Sequence, residues 1–162
     1  MNNISEDNFP VIKKIIKSES MAKHTSMFVG GPSEYYVETT SVEELKQILK
    51  YALKQKLEIK VIGEGCNILF SDKGFSGLVI KNNIKGYKKI VETDDYVDYK
   101  IGAGENWDAF VSFAIDNNLY GIENMSRVPG SVGASVVQNI GCYGQEVSET
   151  VVAVAVVEIN SQ

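Results

Sequence analysis

The sequence predicts an α+β protein of two lobes, a small β-α-β lobe followed by a lobe built on an antiparallel sheet. β-prone runs at residues 35–39, 58–62 and 78–81 surround a helical repeat at 42–53. A second pair of β-prone runs is separated only by Thr93-Asp94-Asp95. The hydrophobic share, 44% of 162 residues, is enough to give such elements a buried core.

Pro10 opens a short helical pattern with Val11, Ile12, Ile15 and Ile16 on one face, and residues 18–23 link it to the main body. Residues 35–39 read as a strand. Ser41 and Glu44 stand at capping-box spacing, and Leu45, Ile48, Leu49, Ala52 and Leu53 follow at helical spacing. The runs 58–62 and 78–81 flank a glycine loop, and residues 35–81 are expected to make a small β-α-β lobe with parallel pairing across the helix. Ile68-Leu69-Phe70 reads as a further strand leaving that loop. Runs 88–92 and 96–102 form an antiparallel hairpin. Asn106 caps a helix with Trp107, Phe110, Val111, Ala114 and Ile115 on its apolar face, which makes Trp107 a core residue rather than a ligand contact. Residues 151–159 form a last strand. The resulting organisation is an N-terminal helical extension (1–23), a first lobe (24–82) and a second lobe (83–162).

A net charge of −5 with scattered lysines excludes a nucleic-acid partner, which needs a clustered basic face. Two distant cysteines make neither a disulfide framework nor a metal pattern, and one histidine without ligand-spaced neighbours argues against zinc. The acidic, polar start is not a signal peptide, and the longest apolar run, 151–157, cannot span a bilayer. The expectation is a cytoplasmic protein with no membrane partner.

Two stretches carry the chemistry. Residues 127–147, RVPGSVGASVVQNIGCYGQEV, place glycines among small and β-branched residues with almost no charge. Glycine at that density brings a backbone close to another chain segment or to a flat, phosphate-bearing ligand. Residues 62–70, IGEGCNILF, put Gly63-Glu64-Gly65-Cys66-Asn67 between two apolar runs. Successive amides in such a turn form a nest of donors for phosphate oxygens. A dinucleotide fingerprint would need a third glycine where Ile68 stands and a helix after it, so the Rossmann reading is rejected.

His24-Thr25-Ser26 with Gly30-Gly31-Pro32, Ile62 to Leu69, Gly102 to Trp107, Gly121 to Asn124, Val128 to Gly133 and Gln138 to Gly144 occur in this order. In that order and spacing they resemble the UDP-N-acetylenolpyruvoylglucosamine reductase family, also called UDP-N-acetylmuramate dehydrogenases, from about His24 onward. The resemblance implies the two-lobed FAD-binding fold of the vanillyl-alcohol oxidase and p-cresol methylhydroxylase type. It implies non-covalent FAD, with NADPH as hydride donor and a nucleotide sugar as substrate, reduced in cell-wall precursor synthesis. Cofactor contacts would come from Gly63, Glu64, Gly65, Cys66, Asn67 and Ile68, donating amides to the pyrophosphate. Pro129, Gly130, Ser131, Gly133, Ala134 and Ser135 would run along the pyrophosphate and ribitol, and Val137, Ile140 and Gly141 would border the adenine or ribose half.

Three departures from the family pattern stand out: Cys66 where it usually has Ser, Val136 where it usually has Pro, and an end at Gln162, about halfway through. The family's catalytic Arg, proton-donating Ser and C-terminal Glu belong to later segments, so no catalytic role is assigned here. The expectation is a C-terminally incomplete cofactor portion, inactive alone, whose unpaired last strand invites self-association. Two other readings are a flavin oxidoreductase of the same fold, with His24 or Cys66 as a covalent attachment point, and a non-catalytic FAD-binding remnant. Arg127 reads as an ion-pairing or surface residue rather than a phosphate contact.

Overall fold

A computed structural model describes residues 10–159; the polar start at residues 1–9 and residues 160–162 lie outside the described residues. The described chain forms two compact units, one of residues 10–82 with 157–159, the other of residues 83–156.

In the first unit, a 3-10 turn at Pro10–Lys14 leads into a strand rather than a linker. Strand β1 (Ile16–Ser20) pairs antiparallel with β2 (Pro32–Thr39), Ile16 facing Tyr36 and Ser20 facing Pro32. Ile16, expected on a helix face, is instead exposed on this edge strand. Ile-Lys-Ser-Glu-Ser has no apolar alternation, and an edge strand solvated on both sides needs none. A second 3-10 turn, Met21–His24, follows.

Helix α1 (Val42–Gln55) begins at the predicted cap, where Ser41 Oγ accepts from the Glu44 amide at 3.2 Å. The reciprocal arm reaches one residue further back, Glu44 Oε2 accepting from the Thr40 amide at 2.8 Å. Leu45, Ile48, Leu49 and Ala52 are buried, and the helix stops where Lys56 turns left-handed. Strands β3 (Ile59–Ile62) and β4 (Phe75–Asn82) complete a sheet of order β1-β2-β4-β3, with β4 parallel to both neighbours. The strands at either end of α1 therefore do not pair with each other; β4 lies between them. The sequence supplies the reason. Leu78-Val79-Ile80 is a continuous apolar run, fully buried as a central strand requires, whereas β3 exposes Lys60 and Val61.

Residues 68–70 form no strand. Phe70 is buried with Met21, Tyr36, Ile62 and Val79, while Leu69 is exposed. The core takes Phe70, with Ile68 partly buried against it, and leaves Leu69 between them in solvent.

In the second unit, β5 (Tyr87–Glu92) and β6 (Val97–Ile101) form the expected antiparallel hairpin, turned by Thr93 Oγ1, which accepts from the Asp95 and Tyr96 amides. Helix α2 (Trp107–Asp116) starts at Asn106, whose Oδ1 accepts from the Ala109 amide at 2.9 Å. Trp107 is buried and its Nε1 donates to the Met125 carbonyl at 2.9 Å. Around it pack Val111, Ala114, Ile122, Met125, Ile140 and Val147, so the core reading of Trp107 holds.

In this unit the short helix α3 (Val132–Val137) and the hairpin of β7 (Gly141–Cys142) with β8 (Gln145–Glu146) were not legible from the sequence. The expected last strand is absent. Residues 151–159 join no ladder, and Val152, Val154 and Val156 are exposed. β propensity expresses itself only where a partner strand exists, and the described residues pair none with this run, although Val151 packs on the cluster around Trp107.

Candidate functional site: two glycine-rich backbone segments

The six residues Gly63 to Ile68 form the first half of the connection between β3 and β4, a parallel connection made without a helix. The loop rests on the segment that follows the Met21–His24 turn. A Cβ on Gly65 would overlap the His24 carbonyl, and Gly65 takes φ +71, a left-handed backbone. The Ser26 amide donates to the Gly65 carbonyl at 3.2 Å, and Ser26 Oγ donates to the Cys66 carbonyl at 3.4 Å. The close approach that requires glycine at position 65 is therefore to another chain segment. What this leaves for a ligand is the opposite polarity. The Gly65 and Cys66 carbonyls are used by Ser26, whereas the amides of Gly65, Cys66 and Ile68 have no acceptor among the described residues. Residues 63–68 carry no Lys or Arg; Lys73 stands further along the same connection.

Pro129 and Gly130 precede α3, Ser131 is its N-cap, Gly133, Ala134, Ser135 and Val137 lie in it, and Ile140 and Gly141 follow it. This segment is stitched to the chain entering α2. The Trp107 amide donates to the Gly130 carbonyl at 2.9 Å and the Val132 amide to the Glu105 carbonyl at 2.8 Å. The Gly133 amide donates to the Ala103 carbonyl at 2.8 Å, and a Cβ on Gly133 would come within 2.7 Å of the Ala103 Cβ. Ala134 bonds Ser131 Oγ at 3.4 Å and Ser135 the Ser131 carbonyl at 2.9 Å. The first turn of α3 thus spends its amides on the protein. Between Gly130 and Ser135, the Gly130 and Ser131 amides lack an acceptor among the described residues, while Val132, Gly133, Ala134 and Ser135 each have one. Gly130 has φ +132 with nothing within 4 Å of a Cβ built on it, so open space adjoins it. Val137 is almost fully exposed, while Ser135 and Ile140 are buried.

The expected residues therefore fall into two clusters, one in each unit, and two buttresses complete them: His24 to Ser26 in the first and Ala103 to Trp107 in the second. Reasoning from single glycine loops missed both buttresses, although the His-Thr-Ser and Gly-Ala-Gly-Glu-Asn-Trp signatures contain them.

Burial, reinforced by the Glu64 charge, pushes the Cys66 thiol up, away from the thiolate that a covalent attachment would use. The His24 ring stacks on Tyr36 at 4.1 Å and its Nε2 contacts Glu19 Oε1 at 3.0 Å, so its edge is already engaged. Arg127 is exposed and its amide donates to Asp108 Oδ1 at 2.6 Å, a structural contact. Among the described residues no group of three or more His, Cys, Asp or Glu is placed to hold a metal, and no helix is long and apolar enough to cross a membrane.

The family model described as an FAD binding domain matches residues 33–161. A UDP-N-acetylenolpyruvoylglucosamine reductase of Flavobacterium johnsoniae is 41% identical over 143 residues, 88% of this chain and 42% of the relative. A reductase of the same name from Porphyromonas gingivalis is 37% identical over 134 residues, 83% of this chain and 39% of the relative. The crystal structure of UDP-N-acetylenolpyruvylglucosamine reductase from Thermus caldophilus superposes with a TM-score of 0.60 at 26% identity, covering 79% of this chain and 43% of that one. The chain spans about two-fifths of the length of the curated relatives it matches.

Proposed function

The chain belongs to the FAD-binding domain family, and from that premise we propose that it holds FAD non-covalently as the cofactor portion of a UDP-N-acetylenolpyruvoylglucosamine reductase. The observation that carries the proposal is the glycine loop after β3. Its Gly65, Cys66 and Ile68 amides lack protein acceptors in a segment without Lys or Arg. A buried pyrophosphate needs convergent N–H donors when no cation serves it, and a nest of this kind provides them. In the second unit, Pro129 and the Gly130 and Ser131 amides are further proposed cofactor-binding groups. Gly63, Glu64 and Asn67 shape the first loop, and Gly133, Ala134 and Ser135 fix the second through bonds to Ala103 and Ser131. Val137, Ile140 and Gly141 would border the adenine or ribose half.

Bound FAD would supply hydride transfer, taking hydride from NADPH and passing it to the enolpyruvyl double bond of the nucleotide sugar, in the cytoplasm, during peptidoglycan precursor synthesis. This chain's residues bind and orient the cofactor. The raised Cys66 thiol and the engaged His24 ring favour non-covalent attachment over a covalent flavin link. The exposed run at 152–156 is proposed to support self-association of the chain.

Titration of the purified protein with FAD and with FMN, followed by flavin fluorescence, tests the reading. FAD should bind the more tightly, since only FAD carries the pyrophosphate. Equal affinity for the two, or binding of neither, would remove the proposed role of the glycine loop.

A further inference from the structure

His24 is joined to the sheet by its side chain and to the glycine loop by its main chain. The imidazole stacks on the buried Tyr36 of β2, ring centroids 4.1 Å apart at 25°, and Nε2 meets Glu19 Oε1 of β1 at 3.0 Å. Tyr36 is fixed in turn, its hydroxyl donating to Glu38 Oε1 at 2.8 Å. Glu19 also receives Lys23 Nζ at 3.3 Å, from the same 3-10 turn as His24. The charged or titratable groups around the ring are thus Glu19, Tyr36 and Lys23, with Glu38 behind Tyr36.

On the main-chain side, the His24 carbonyl and the Thr25 α-carbon occupy the space a Cβ of Gly65 would need. The next two residues extend that support. Thr25 Oγ1 donates to the Val29 carbonyl at 3.0 Å and the Phe28 amide donates to the Thr25 carbonyl at 3.2 Å, closing a tight turn. Ser26 then bonds the carbonyls of Gly65 and Cys66. The hydrogen bonds that the Gly65 and Cys66 carbonyls receive both come from Ser26, and within residues 24–26 the imidazole is the side chain that meets β1 and β2.

We infer that His24 is a positioning residue for the glycine loop: clamped by Glu19 and Tyr36, it fixes Gly65 and Cys66 with their amides aimed away from the protein. The inference rests on the FAD reading for its functional consequence and on the unliganded protein for its geometry. A loop carbonyl held by Ser26 cannot turn toward an anion, so the clamp sets which polarity the loop presents.

The experiment compares wild type, His24→Ala and Glu19→Gln by amide hydrogen exchange without ligand and by FAD titration. In His24→Ala, exchange at the Ser26 amide should accelerate about tenfold or more, as expected when a charge-assisted contact is lost. The sheet amides of Val37 and Val79 should be unchanged, and FAD should bind more weakly by a similar factor. Glu19→Gln keeps an acceptor for the imidazole and should fall between. The inference is overturned if Ser26 exchange and FAD affinity both stay within about twofold of wild type. It is also overturned if exchange rises equally at Val37 and Val79, which is general destabilisation, or if Ser26 is freed with no change in affinity. Should wild type itself fail to bind FAD, the cofactor reading falls, and exchange at Ser26 still decides the clamp.

Discussion

The carbonyl of His24 lies where the side chain of residue 65 would begin, and Gly65 is the residue that permits it. This contact separates two uses of glycine that look alike in a sequence: bringing backbone against backbone, and bringing backbone against a ligand. Gly65 and Gly133 serve the first, while Gly130, itself buried but with nothing within 4 Å of where a Cβ would sit, is available for the second.

The substitutions should therefore differ in what they damage. Gly65→Val combines a left-handed backbone with overlap of a main-chain carbonyl, and is expected to cost roughly 2–4 kcal/mol of stability. Gly130→Ala meets no atom and carries only its backbone penalty, about 1–3 kcal/mol. Urea melts of the two proteins check this. If Gly65→Val were as stable as wild type, the packing of the loop on His24 would be wrong.

Cys66 stands where a hydroxyl would serve as well. Cys66→Ser should change stability by less than about 0.5 kcal/mol and leave FAD affinity equal or slightly improved, a hydroxyl being the better donor. Because burial and Glu64 push the thiol up, less of it is thiolate near neutral pH, and alkylation should be slower than for an unperturbed cysteine. Fast alkylation, or severe loss of FAD in the serine variant, would give the thiol a role that this geometry does not contain.

Glu44 links α1 to Thr40 and to Lys14, and these bonds, Lys14 first, hold its carboxyl down at about 2 against an ordinary 4.5. A folded-state value below the unfolded one means that the carboxylate stabilises the fold above pH 4.5 and loses that effect as pH falls toward 2. Glu44→Ala should cost about 1 kcal/mol near neutral pH, the scale of a helix cap with a partly exposed ion pair. The gap from wild type should close in acid. Thermal melts across that range measure it, and a gap that widened in acid would reverse the sign of the argument.

Val152, Val154 and Val156 are exposed on a run that joins no ladder. Such a run is a template for pairing with another chain. Val154→Lys or Val156→Lys should increase solubility and lower the sedimenting mass, while lysine at Ala153 or Ala155 tests the other face. A concentration-independent monomer for wild type by analytical ultracentrifugation, without FAD, would contradict this.

The local elements were legible where side-chain chemistry writes its own signal. Ser41 and Asn106 announced both long helices, and Thr93-Asp94-Asp95 announced the hairpin. Strand β1 was not legible, because Lys17, Ser18 and Glu19 show no apolar face. The insertion of β4 between the two strands flanking α1 is a tertiary fact, visible beforehand only in the unbroken Leu78-Val79-Ile80. Helix α3 is hidden in Val-Gly-Ala-Ser-Val-Val, a weak helix former that forms because Ser131 caps it and Glu105 and Ala103 hold its first amides. For the same reason the candidate site was only half legible. The glycine positions can be read, but which of their amides stay free depends on partners far along the chain.

Backbone amide NMR of isotope-labelled protein during titration with FAD tests the central claim most directly. The account predicts that the amides of Gly65, Cys66, Ile68, Gly130 and Ser131 shift as they gain phosphate acceptors, while those of Val132, Gly133 and Ser135, already bonded within the protein, move little. Shifts centred on α3 with the loop after β3 unmoved, or no shifts at saturating FAD, would contradict it.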